Sequence, residues 1–247
     1  MSSFEQVLRS VDGVQGWMSP DQARRLYDAA ARTEAGQSIV EIGSFQGRST
    51  IVLASAASDG VRVIAIDPHA GNDRGPQEID GFAAAAADDH ERFNANLASA
   101  GVADRVTHLR MFSDAALAEV DGVVEVLYVD GAHRYAPARA DIRDWGARVV
   151  PRGTLLIHDS FSSLGVTLAI ARELMFGSRW RYVGRARSLT EYRADLPSGL
   201  PARLSNAGRQ LAQVPWFVKN LLVKVLITVK LGPLLARITG REAEWPY

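Results

Sequence analysis

Apolar residues fall in short, nearly unbroken runs along the chain: SIVEI (38–42), VRVIAID (61–67), RVTHLR (105–110), VEVLYVD (124–130) and GTLLIHD (153–159). A strand with one wet face alternates apolar and polar positions. Continuous β-branched runs are the pattern of parallel strands covered on both faces. Between the runs lie stretches of helical spacing, at about 48–58, 82–100, 113–120, 135–149 and 164–176. An earlier helix opens at Ser19, an N-cap residue, with Pro20 in its first turn and Gly36 as its stop. This strand–helix alternation predicts an α/β fold with a doubly wound, mostly parallel sheet. RWRYVGRA and RSLTEYRA (179–194) predict an antiparallel pair that closes the sheet.

The pattern changes near the C-terminus. Phe217, Leu221, Val225 and Val229 form a stripe at i,i+4 spacing, with Lys219, Lys230 and Arg237 near one angle opposite, and Gly232-Pro233 interrupts the helix. The lysines leave it too poor in continuous apolar residues to span a bilayer. An amphipathic helical tail is therefore expected over 196–247, after a domain at 1–195. Its stripe packs on the sheet domain, pairs two subunits, or lies on a membrane surface.

Composition narrows the classes. With 247 residues, 47% apolar and 23% charged, the chain is neither disordered nor fibrous. Lys+Arg and Asp+Glu are both 28, so net charge does not point to nucleic acid. The charge is unevenly spread, because 1–195 hold 21 basic and 26 acidic residues, and 196–247 hold seven and two. Absence of cysteine removes disulfides, thiolate metal sites and a cysteine nucleophile. The start MSSFEQVLRSVDG lacks a secretory pattern, so a cytoplasmic protein, peripheral at the membrane if the tail binds lipid, is the expectation.

In such a sheet, ligands bind beyond the carboxyl ends of the strands. There stands Glu41-Ile-Gly43-Ser-Phe-Gln-Gly47-Arg-Ser49-Thr50, opening a helix. Gly43 and Gly47 allow tight turns and close approach of a ligand, and the helix N-terminus favours a carboxylate. Phe45 interrupts the dinucleotide fingerprint G-x-G-x-x-G, which argues against a nicotinamide-dependent oxidoreductase. Asp67 ends the next strand, where an acid can accept both ribose hydroxyls. Asp130 and Asp159 end the fourth and fifth strands, and two converging carboxylates suit a hard divalent cation. His133 is placed to act as a base near neutral pH, or to brace the Asp130 loop. His158 should point to the opposite side of its strand from Asp159 and serve a structural role. His69, Asn72 and Asp73 belong to a polar loop that either shapes acceptor specificity or is a solvated connection.

GWMSPDQARRLYDAA, SIVEIGSFQGRST, VIAIDPHAG, FNANLASAGVADRV, LYVDGAHRY and RGTLLIHDS together resemble a class I S-adenosylmethionine-dependent methyltransferase. The likeness is to the small O-methyltransferases related to catechol and macrolide-sugar methyltransferases, over about residues 13–160. The resemblance implies that Gly43 and Gly47 pass under the methionine moiety of S-adenosylmethionine, Ser49 binds its carboxylate, Glu41 orients the loop and Asp67 holds the ribose. Ser113 and Asp114 fall where relatives contact adenine. Asp130, Asp159 and Ser160 match the ligand positions for Mg²⁺ or another divalent cation, with Ser160 where relatives carry Asn or Asp; Asp130 alternatively contacts the cofactor. His133 matches the base. The implied acceptor is a small hydroxylated molecule, a sugar or secondary metabolite, with the homodimer as an open arrangement. A non-catalytic binding or scaffold protein is the other alternative, and the intact Glu41, Gly43, Gly47, Ser49 and Asp67 argue against it.

Overall fold

The order β3-β2-β1-β4-β5-β7-β6 describes the seven-stranded sheet of this computed structural model, which describes residues 3–70 and 82–228, without the side chains of 82–87. The strands are β1 (Ser38–Ile42), β2 (Arg62–Ile66), β3 (Val106–Leu109), β4 (Val124–Val129), β5 (Val149–Ile157), β6 (Arg181–Ala186) and β7 (Leu189–Arg193). The first five are parallel, whereas β7 runs antiparallel to both β5 and β6. Chain order reverses between β1 and β4, so a crevice opens beyond Ile42 and Val129.

Helices cover both faces. α1 (Phe4–Ser10), α2 (Pro20–Ala31), α3 (Arg48–Ala56) and α4 (Phe82–Ser99) precede α5 (Ser113–Ala116), α6 (Tyr135–Ala140), α7 (Gly146–Arg148) and α8 (Leu164–Ile170). α9 (Leu200–Leu211) and α10 (Val214–Thr228) follow β7. Ser19 caps α2 through a reciprocal box with Gln22, as its sequence predicts, and Ser3 with Gln6 makes the same box on α1, which the pattern missed. Every residue of β1 is buried, as its unbroken apolar run requires. One core layer holds Leu26, Ile51, Leu53 and Phe93, and the opposite layer holds Leu127, Ile142, Trp145 and Tyr192. Each such aliphatic side chain stabilises the fold by roughly 1.5–3 kcal/mol when fully buried.

Several boundaries differ from the expected ones. The helix expected over 113–120 is a single turn, and that over 135–149 is α6 and α7 joined by a π-helical turn, Asp141–Trp145. β5 begins at Val149 and ends at Ile157, before His158 and Asp159.

The tail also differs. Asn220, Trp216 and Phe217 face the domain, whereas Leu221 and Val225 of the predicted stripe point outward. Val229, Lys230, Gly232-Pro233 and Arg237 lie outside the described residues. Leu200–Thr228 is long and apolar enough by length and composition to cross a membrane, contrary to the expectation from its lysines.

Candidate active site

The loop from β1 to α3 is shaped by two left-handed glycines. Gly43 has φ +86°, and a Cβ there would lie 2.4 Å from the Asp130 carbonyl oxygen. The backbone knits the same junction, with Gly43 N–H donating to Ile66 C=O and Asp130 N–H to Ile42 C=O, each at 2.8 Å. Gly47, at φ +86°, is the N-cap of α3, and a Cβ there would meet Phe93 and Leu97 at 3.2 Å. Both glycines make the tight turns expected of them, and the space a Cβ would fill at each is taken by protein.

Glu41 is fully buried, and its carboxylate accepts hydrogen bonds from the Ser49 and Thr50 hydroxyls. Burial pushes its pKa up to about 8, against the pull of those two hydroxyls. Glu41 therefore holds the first turn of α3 from behind and does not face the crevice. The Ser49 hydroxyl is committed to Glu41, so the donors left for an anion are the first-turn N–H groups of α3. Asp67 is also engaged. Its Oδ2 accepts from Ser44 N–H and Phe45 N–H at 2.9 Å, and its Oδ1 from His69 N–H at 2.8 Å. A carboxylate offers about four lone-pair sites, so Asp67 has room for about one further donor. Two ribose hydroxyls on Asp67 would require one of these amides to let go.

Beyond β4 and β5, two acids and two histidines converge. His133 Nε2 lies 3.0 Å from Asp159 Oδ2. His158 Nδ1 lies 3.2 Å from Asp130 Oδ1 and 3.6 Å from Asp159 Oδ2. The Tyr128 hydroxyl donates to Asp130 Oδ2 at 2.8 Å. Burial opposes a charge on His158, the two carboxylates favour it, and its pKa is pushed up to about 10. The Gln22 amide pulls the other way: its oxygen accepts from Ser19 N–H, which turns its nitrogen toward His158 Nε2 at 3.3 Å. Burial raises the Asp159 pKa, but the proton on His158, with His133 and Lys224, holds it far below the usual carboxylate range.

Two expectations fail here. His158 does not turn away from Asp159, because Asp159 has φ +53° and the two-residue alternation of an extended strand has already ended. Left-handed backbone at non-glycine residues is costly and clusters at functional sites. Ser160 does not join the acids. It is fully buried, with its hydroxyl donating to Ile157 C=O and sharing a 2.7 Å hydrogen bond with Thr190. Instead, Asp130, His133 and Asp159 each offer one ligand atom within 4.8 Å of the others.

The adenine-side candidates part company. Ser113 Oγ donates to Asp141 Oδ1, and burial pushes the Asp141 pKa up to about 6 despite that bond. Asp114 is exposed and accepts from Ala115 N–H. Asp141, Tyr128 and Gln22 escaped sequence reasoning. Only Tyr128 carried a signal, because it stands two residues before Asp130 on the same strand face. His69, His90 and His108 stack about Phe93 with ring centroids 4.6–5.5 Å apart. Burial lowers the His69 pKa and takes that of His108 down to about 4. Asn72 and Asp73 lie outside the described residues.

Residues 40–160 match a family model described as a methyltransferase domain. The chain has the fold of class I methyltransferases. Solved structures share its fold at low identity. The O-methyltransferase TomG from Streptomyces achromogenes, in complex with S-adenosylmethionine, is 19% identical, with TM-score 0.53, over 78% of this chain and 87% of its own. The O-methyltransferase from Bacillus cereus in complex with S-adenosylhomocysteine is 19% identical, with TM-score 0.56, over 78% and 90%. The O-methyltransferase NovP is 16% identical, with TM-score 0.58, over 72% and 81%. This fold places its switch-point crevice between the Gly43 loop and the Asp130–Asp159 cluster.

Proposed function

We propose that this methyltransferase acts on a hydroxyl of a small molecule, a sugar or other secondary metabolite, with His133 as the general base. The observation that carries the reading is the His133–Asp159 pair at 3.0 Å, a base oriented by a carboxylate. With Nε2–H donated to Asp159, Nδ1 of His133 bears the lone pair that accepts the hydroxyl proton. Asp159 then stabilises the imidazolium that forms. S-adenosylmethionine, when bound, supplies an electrophilic methyl group on a sulfonium. The residues that fit it are the α3 first-turn amides for its carboxylate, Asp67 for one ribose hydroxyl, and Asp114 or Ser113 on the adenine side. The small-molecule acceptor draws support from TomG, which is involved in tomaymycin synthesis. Residues 1–195 form the catalytic unit in this reading, and 196–247 an appended element.

A divalent cation is the second reading, favoured by the spacing of Asp130, His133 and Asp159. The donor set, two carboxylate oxygens and one imidazole nitrogen, fits such an ion and would supply Lewis acidity toward the acceptor hydroxyl. Asp130 Oδ2, however, already accepts from Tyr128, and its Oδ1 faces His158 Nδ1 at 3.2 Å, which favours the base reading. Release of S-adenosylhomocysteine from a panel of hydroxylated acceptors, run with excess chelator and then with added Mg²⁺ or Mn²⁺, separates the two. Turnover that survives chelation and falls in His133→Ala is expected. Turnover abolished by chelator and restored by metal would transfer the role to the ion. Ser160→Ala should leave any metal response unchanged.

A further inference from the structure

α10 is amphipathic in the inverted sense. At 100° per residue, its domain-facing side carries Asn220 and Lys224 with Trp216 and Phe217, and its outward side is mainly apolar, with Val214, Val218, Leu221, Leu222 and Val225 exposed and Lys219 at its edge. The polar residues anchor it. Asn220 Nδ2 donates to Phe161 C=O and Lys224 Nζ to Ser162 C=O, each at 3.0 Å. α9 repeats the arrangement. Asn206 and Gln210 are buried against Trp180, Tyr182 and Tyr192, while Leu200 and Leu204 stand 65% and 62% exposed. A core helix does the reverse, so these outward faces call for an apolar partner.

We propose that α9 and α10 form a platform that rests on an anionic lipid bilayer, with the candidate active site opening beside it. Charge chooses this occupant. From 196 to 241 the sequence has no acidic residue, and the two helices carry Arg203, Arg209 and Lys219 around their apolar faces. A second copy docked about a two-fold axis would set those cations against their like, whereas anionic headgroups complement them. Because the polar side of α10 is bonded to the domain, the helix lies along the surface and does not cross it. The anchoring carbonyls, Phe161 and Ser162, follow Asp159 by two and three residues, which places the platform next to the acids and His133. A hydroxylated acceptor held at a bilayer surface would thereby meet the site directly. That last step rests on the proposed function; the lipid contact does not.

The test is co-sedimentation of the full chain, without cofactor or acceptor, with vesicles of phosphatidylcholine alone or mixed with phosphatidylglycerol. Binding to the mixed vesicles that weakens in high salt is expected. Lys219→Glu should weaken it roughly tenfold. Leu221→Ser/Leu222→Ser/Val225→Ser should abolish it while keeping the melting temperature of the parent, because those side chains are already exposed. Failure to sediment with mixed vesicles at low salt would overturn the proposal, as would equal binding to phosphatidylcholine alone. A stable dimer by light scattering that the triple variant disrupts, with no vesicle binding, would assign the face to a second copy. Loss of methyl transfer alone would count against the proposed function and leave the lipid contact standing.

Discussion

Asp159 holds His133 Nε2 at 3.0 Å while its own backbone sits at φ +53°, so a locally strained residue orients the His133 ring. Such strain persists only where surrounding contacts over-determine it. If His133 takes the acceptor proton, His133→Ala should lower kcat by about 10²–10⁴-fold and leave cofactor affinity unchanged. Steady-state kinetics beside calorimetry checks this, and an equal loss in both would mean that His133 binds cofactor.

Asp67 ties the glycine loop to β2 through three backbone N–H groups. Asp67→Ala should weaken S-adenosylmethionine binding by roughly 1.5–3 kcal/mol, since a charged acceptor is lost. It should also speed hydrogen exchange at the Ser44 and Phe45 amides in the free protein. Wild-type affinity with fast exchange would confine Asp67 to a structural role.

Gly43→Ala should be costly for a different reason. Its left-handed φ and the 2.4 Å approach to the Asp130 carbonyl combine strain with a clash against backbone. A loss of about 2–5 kcal/mol in denaturant unfolding is expected. Gly101→Ala, also at positive φ but with open space around it, should lose only the conformational part.

The stacked histidines set an acid limit on stability. Burial lowers the pKa of His108 from 6.5 to about 4 and lowers that of His69. Between those values the unfolded chain binds more protons than the folded one, so stability rises with pH. The contribution of the neutral His108 ring is complete above pH ~6.5 and is lost as pH falls toward ~4. Melting temperatures across that window should fall with acid in the parent and fall less in His108→Phe. Parallel curves for the two would contradict this account.

The sheet was legible because each parallel strand is covered on both faces, so that SIVEI and VEVLYV had to be almost wholly apolar. The positions of Asp67, Asp130 and Asp159 followed from strand ends. Their partners did not, because Gln22 reaches His158 across 136 residues and Asp141 reaches Ser113 from a π-helical turn. His158 was misread where strand periodicity stopped at Ile157. The tail stayed open among core, subunit and membrane contacts because its stripe does not show that Asn220 and Lys224 take the domain side through hydrogen bonds to backbone. Amphipathic spacing fixes a face; it does not say which way the face points.

The central claim, an S-adenosylmethionine site at the β1–β4 switch point, is tested most directly by titrating the protein with S-adenosylmethionine and, separately, NADH in a calorimeter. Saturable binding of S-adenosylmethionine, weakened in Asp67→Ala, with no heat from NADH, is the predicted result. Saturable binding of NADH without S-adenosylmethionine would contradict it.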